Sequence, residues 1–165
     1  MRAVARGFTL IETLVVVMII GILASAVVIG FVGADKEQNL RTEAERLATL
    51  IEMARSQAVQ RNEEWGISVA PDSYQFVVLD EPKHRWVEQK DGTFRKRTIE
   101  NMTLSVKVDA VAIPEDKSKD NVPNIVLFSS GEQTPFDIDI TPQWKSDPWH
   151  VSSDGVSRTT AQRRA

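Results

Sequence analysis

The chain contains no cysteine, only two histidines and a single tyrosine among its 165 residues. Without thiols it forms neither a disulfide framework nor a thiolate metal site, so an oxidising compartment is neither demanded nor excluded. Imidazole chemistry is confined to His84 and His150, and no HExxH, GxSxG, GxxxxGK or GxGxxG pattern occurs, which leaves little for an enzyme to work with. There is no basic excess either. With 20 Lys+Arg against 23 Asp+Glu the net charge is -3, and the chain lacks the footprint that neutralises phosphates, so nucleic acid is not an expected partner. The length suits one ordinary domain with an appendage.

What the chain does have is an uneven distribution of apolar residues. Mean hydropathy is -0.22, that of a soluble protein, yet residues 13–34 carry no charge and no proline. These 22 positions exceed the roughly 20 needed to cross a hydrocarbon core as a helix. Arg2 and Arg6 precede the run and Asp35-Lys36 follow it, an asymmetry that puts the N-terminus in the cytoplasm and the bulk of the chain across the membrane. Two ordinary explanations compete. Ala24-Ser25-Ala26 has the form of a signal-peptide cleavage site, but apolar character continues through Val32. A plain single-pass anchor explains the length and leaves Glu12, just inside the apolar run, without a partner.

The residues Arg6-Gly7-Phe8-Thr9-Leu10-Ile11-Glu12 resemble the class III signal of type IV pilins and type II secretion pseudopilins. The resemblance implies cleavage after Gly7 by a prepilin peptidase, N-methylation of Phe8, and a role in assembly for Glu12, which would meet the N-terminal amine of a neighbouring subunit. An intramembrane carboxylate is tolerable when an opposite charge is delivered to it, so Glu12 would be costly alone and satisfied in a polymer.

Past the apolar run, residues 35–61 contain neither proline nor glycine, and Leu40, Ala44, Leu47, Ile51, Ala54 and Ala58 recur at spacings of four and three. This predicts an amphipathic helix laying one stripe on a globular head, with a coiled-coil seam as the alternative. Arg41, Glu43, Glu45, Arg46, Glu52, Arg55 and Arg61 are assigned to its other face, with Glu52 and Arg55 as a helix-surface pair. After Asn62 the period becomes alternating. Residues 65–70 and 74–79 flank Ala70-Pro71-Asp72-Ser73 and read as a hairpin. Residues 86–89 and 93–97 flank Lys90-Asp91-Gly92 and read as a second. Further strands are expected at 102–108, 124–128, 136–140, 149–152 and 156–158, with a polar loop at 114–124. Trp65 and Trp86 are expected to be buried, and Trp144 to be the best surface candidate.

The run Ile125-Val126-Leu127-Phe128-Ser129-Ser130-Gly131-Glu132-Gln133-Thr134-Pro135-Phe136 with a closing Ser152-Ser153-Asp154-Gly155 is similar to the head of the H-type minor pseudopilin of type II secretion. The helical stretch from Glu43 to Leu47 and Arg85-Trp86 look like the same subgroup. The fold this implies is α+β: a long N-terminal helix packed on an antiparallel β-sheet head. The expected organisation is a leader over 1–7, a transmembrane and polymerisation helix over 8–34, an amphipathic helix over 35–61 and a β-rich periplasmic head over 62–165.

The function implied is that of a non-enzymatic subunit of the periplasmic pseudopilus, anchored in the bacterial inner membrane, linking the tip complex to the major filament. Its partners would be the I-, J- and K-type minor pseudopilins, the major pseudopilin, the prepilin peptidase and the inner-membrane assembly platform. Glu12 itself argues against the tip-most K-type role, whose members generally lack it. The alternatives are a FimT- or FimU-like minor pilin of type IV pili and a membrane-anchored periplasmic binding domain that never polymerises. No cofactor is expected. Asp137, Asp139, Asp147 and Asp154 offer oxygen ligands, but alternation puts the first two on a solvated strand face and no spacing matches a calcium loop, so no metal is assigned. Ser129-Ser130-Gly131 is read as a turn, not a nucleophile.

Overall fold

The computed structural model describes residues 9–90, 92–108 and 122–164, with the side chains at 24–34 outside that set. Helix α1 runs Leu10–Arg61. Among the described residues nine strands follow: β1 Trp65–Ala70, β2 Ser73–Asp80, β3 Arg85–Glu88, β4 Arg97–Thr98, β5 Met102–Val108, β6 Ile125–Leu127, β7 Phe136–Pro142, β8 Trp149–Ser153 and β9 Thr160–Arg163. The chain divides into two compact units, residues 1–39 and 40–165.

In the second unit the helical stripe is the organising element. Leu40, Ala44, Leu47, Ile51, Ala54 and Ala58 are all fully buried, because their four-and-three spacing keeps them on one side of a 3.6-residue helix. They face two antiparallel sheets. The first has the order β3-β2-β1-β6 with β4 also on β2, and the second the order β5-β7-β8-β9. Alternate residues of each sheet close the core, among them Trp65 and Ile67 of β1, Phe76 of β2, Ile125 and Leu127 of β6, Ile138 and Ile140 of β7 and Val151 of β8. The stripe therefore packs on sheets, and the fold is α+β as its pattern implies. Small alanines let the helix approach the β surface closely. Its end is set by Asn62, whose left-handed conformation (φ 53°) lets the Glu63 N–H reach Ala58 O at 3.1 Å and its own N–H reach Val59 O at 3.4 Å, the paired bonds of a Schellman cap.

The first hairpin forms as expected, Trp65 opposite Val78 through Ala70 opposite Ser73. The second does not. Both β3 and β4 pair with the same edge of β2, β3 along residues 77–80 and β4 along 73–74. Burial overrides the Asp-Gly turn signal: Phe94, expected in a strand, folds into the core as part of a turn and meets Trp65 and Phe76 edge-on at ring distances of 5.0 and 5.3 Å. Asp91 of that turn lies outside the described residues, as does the expected 114–124 loop up to residue 121. The strand expected at 156–158 is also absent, since β9 begins only at Thr160. The Asp154 carboxylate accepts from the backbone N–H groups of Val156 (3.0 Å) and Ser157 (2.7 Å) and from the Ser157 hydroxyl (2.8 Å), which curls these residues into a loop. Those bonds, the Ser157 N–H first, hold the Asp154 carboxyl below its ordinary range.

Three helix charges assigned to the solvent face turn to the head instead. Arg55 donates to the carbonyls of Gly131 (2.6 Å), Val156 (2.7 Å) and Ser157 (3.1 Å), and Glu52 accepts from Thr159 N–H at 2.8 Å. Their mutual separation of 3.9 Å is secondary to those contacts. Glu43 accepts from the Tyr74 hydroxyl at 2.8 Å while pairing with Arg46 at 2.9 Å. Burial, followed by the Glu43 charge and hydrogen bond, pushes the Tyr74 hydroxyl well above its ordinary value of 10.0. A group that keeps its proton longer folded than unfolded stabilises the fold below the unfolded pKa and loses that contribution as pH rises beyond it. Because Tyr74 is the only tyrosine, tyrosinate absorbance at 295 nm should stay flat through pH 10 and rise only together with loss of far-UV circular dichroism. A rise near pH 10 with native dichroism would contradict the buried Tyr74–Glu43 contact.

Candidate functional site

The first candidate is the start of α1. Thr9 caps the helix, its hydroxyl accepting from the Glu12 N–H at 3.3 Å while Thr9 O accepts from the same group at 3.1 Å. Glu12 is thus the third helical residue, and Thr9-Leu10-Ile11-Glu12 has the Thr-x-x-Glu form of a capping box. A carboxylate there also complements the positive end of the helix dipole, worth about 0.3–1 kcal/mol at an exposed site. This local role was readable from the sequence and is additional to the assembly role expected of Glu12. Around and beyond it the helix is apolar on every side: Leu10, Ile11, Leu14, Val17, Met18, Ile20, Ile22 and Leu23 are each about 60 % exposed or more. A helix that is hydrophobic all round is buried in a membrane or among partner helices when it works. Among the described residues no helix is long and apolar enough to cross a membrane. The charge-free sequence continues over 24–34, whose side chains lie outside the described set. Gly7 and Phe8, the expected cleavage junction, also lie outside it.

The second candidate is the end of the head where two sequence motifs meet. Gln133 is buried, its amide donating to the Ser153 hydroxyl at 2.6 Å and the Thr159 hydroxyl at 3.2 Å, and its N–H bonds Gly155 O at 2.8 Å. Thr134, also buried, exchanges bonds with Val126 through its backbone N–H (2.8 Å) and its hydroxyl (3.1 Å). Ser129 donates to Glu64 at 2.8 Å. Gly155 holds φ 95° beneath Gln133, where a Cβ would lie 2.7 Å from Gln133 O, so only glycine fits. The Ser129–Phe136 connection and the Ser153-Asp154-Gly155 turn are therefore one knitted structure, clamped to the helix by Arg55. Its chemistry is that of a scaffold: most of the named polar groups are engaged in internal bonds, although Gln133 Oε1 and Glu64 Oε2 are buried without a hydrogen-bond partner.

Of the aspartates, Asp147 pairs with Arg163 at 3.2 Å and Asp154 caps its own loop. Asp137 and Asp139 are brought to the imidazole of His150, a neighbour the sequence spacing does not reveal because it arrives across the β7–β8 pairing. Trp65 and Trp86 are buried as expected. Trp144, the best surface candidate, is half-buried: it packs against the main core and keeps part of its surface exposed.

Comparison with known proteins agrees with this architecture. Residues 43–159 match the family described as type II transport protein GspH, and residues 2–28 match the prokaryotic N-terminal methylation motif. The type II secretion system protein H of Pseudomonas aeruginosa is 33% identical over 99% of this chain and 100% of its own. That of Aeromonas hydrophila is 24% identical over 83% and 81%. The fold is that of the crystal structure of the minor pseudopilin EpsH of Vibrio cholerae (TM-score 0.61, 19% identity, 78% of this chain and 97% of that one). The solution structure of Escherichia coli GspH is similar at a TM-score of 0.58, 18% identity and coverage of 76% and 90%. The chain belongs to the GspH family, the H-type minor pseudopilins of type II secretion, which are structural components of the secretion system and not enzymes.

Proposed function

We propose that this minor pseudopilin is processed after Gly7, N-methylated on Phe8, and held in the inner membrane by a single pass with its N-terminus cytoplasmic and its head periplasmic. Residues 1–7 are then the leader, 8–34 the membrane and polymerisation segment, 35–61 the amphipathic helix and 62–165 the head. In the filament, Glu12 receives the N-terminal amine of a neighbouring subunit, and the head joins a tip complex of I-, J- and K-type minor pseudopilins to the major pseudopilin below.

One observation carries the reading: a helix apolar on every side over residues 10–23 bears a single carboxylate in its first turn, inside a segment that matches the N-terminal methylation motif. Such a surface is unsatisfied in water, and such a charge is unsatisfied in lipid unless a cation is delivered to it. Leaving the membrane for a filament satisfies both at once. Deletion of the gene tests the secretion assignment. Secreted proteins should accumulate in the periplasm while type IV pili remain intact, and the wild-type chain should restore export. Loss of pili with normal secretion would identify a minor pilin instead.

A further inference from the structure

We propose that Asp137, Asp139 and His150 form a three-ligand site for a zinc-class divalent transition-metal ion on the outer face of the second sheet. Asp137 and Asp139 are alternate residues of β7 and project from the face opposite the buried Ile138 and Ile140. His150 of β8 stands directly opposite Asp139 in the antiparallel register. Its Nδ1 lies 2.8 Å from Asp137 Oδ1 and 2.8 Å from Asp139 Oδ1, and the three donor atoms all fall within 4.8 Å of one another.

A proton does not satisfy this arrangement. Nδ1 carries at most one hydrogen, and it bonds Asp137. Asp139 Oδ1 is then left buried with no hydrogen bond. On the other side of the ring the Arg164 guanidinium Nη1 lies 3.1 Å from Nε2 and donates to it, which leaves Nδ1 as the nitrogen facing the two carboxylates. A divalent ion in place of the Nδ1 proton engages both carboxylates and the ring nitrogen and neutralises both negative charges. Two carboxylate oxygens and one imidazole nitrogen with an open side match the three-ligand-plus-water pattern of zinc, with bonds of about 2.0–2.2 Å. Calcium, which takes six to eight oxygens, fits poorly. Arg164 is exposed and free to turn away as Nε2 takes up the hydrogen, and Lys107 of β5, which stands opposite Asp137 in the β5–β7 register, is a second exposed cation on this face. The bound ion would staple β7 to β8.

The test uses the full-length chain without an affinity tag, solubilised in detergent, stripped with a chelator and titrated with Zn2+ alone against a fluorescent competitor. One Zn2+ per chain should bind, and Asp139→Asn and His150→Gln should each weaken it at least tenfold. His84→Gln should leave it unchanged, and Arg164→Ala, which removes a positive charge and a donor facing the ring, should tighten it several-fold. The last variant changes an exposed side chain, so its gain does not depend on how the core tolerates the others. No stoichiometric binding, binding abolished by His84→Gln, or Ca2+ binding that survives His150→Gln with equal strength would each overturn the proposal.

Discussion

Glu12→Leu should leave the chain inserted in the membrane and its head folded, yet nearly absent from assembled pseudopili. The substitution lies in the first turn of α1, remote in sequence from the head core that begins at Leu40, so it removes no core contact. It also favours insertion, because leucine is stabilising and an ionised carboxylate costly in the hydrocarbon region. What it removes, on the proposed function, is the acceptor for a neighbouring subunit's amine. Leaving one partner of a buried pair uncompensated costs roughly 3–5 kcal/mol, more than two orders of magnitude in an assembly equilibrium at about 1.4 kcal/mol per tenfold. Quantifying the chain in sheared pseudopilus fractions against its level in membranes measures the effect. Thr9→Ala, which removes only the helix cap, should cost about 1 kcal/mol and leave assembly largely intact. Equal incorporation of wild type and Glu12→Leu would reduce Glu12 to a capping residue.

Trp65→Ala should be the most damaging single change in the head. The indole is 1% exposed, lies in β1 between β2 and β6, and meets Phe94 edge-on at 5.0 Å. Truncating a buried tryptophan to alanine costs roughly 3–5 kcal/mol through lost burial and the cavity left behind. Against a total stability of about 5–15 kcal/mol, that is a large fraction of what holds the fold. Thermal unfolding followed by circular dichroism should show a midpoint lowered by roughly 10 °C or more. Val156→Ala is the control, since Val156 is 71% exposed and its truncation should change stability by no more than about 0.5 kcal/mol. Similar midpoints for the two variants would mean that Trp65 is not the keystone of the first sheet.

The parts of this fold legible in the sequence are those set by local period. The stripe from Leu40 to Ala58 needs only the 3.6-residue repeat to be recognised, and all six of its residues are buried. The alternation of Phe136, Ile138 and Ile140 with Asp137 and Asp139 is equally local. Failures occurred where a distant contact decides. Phe94 leaves a plausible hairpin because Trp65 and Phe76 offer it burial. Arg55 and Glu52 look like a surface pair on a helical wheel, but their partners lie about a hundred residues away. The Asp137–Asp139–His150 cluster depends on the β7–β8 register, which no spacing rule encodes. For Glu12 the local capping signal was readable and the family resemblance supplied the assembly role, which the monomer's geometry alone does not contain.

The mature N-terminal peptide tests the central claim most directly. Its mass and sequence should be determined from cells with and without their prepilin peptidase. The account predicts a chain beginning at N-methylated Phe8 when the peptidase is present, and one retaining the leader through Gly7 when it is absent. A mature chain beginning at Val27 or at Met1 in cells that contain the peptidase would contradict it, since the apolar helix would then be a signal peptide or a plain anchor and Glu12 would have no delivered partner.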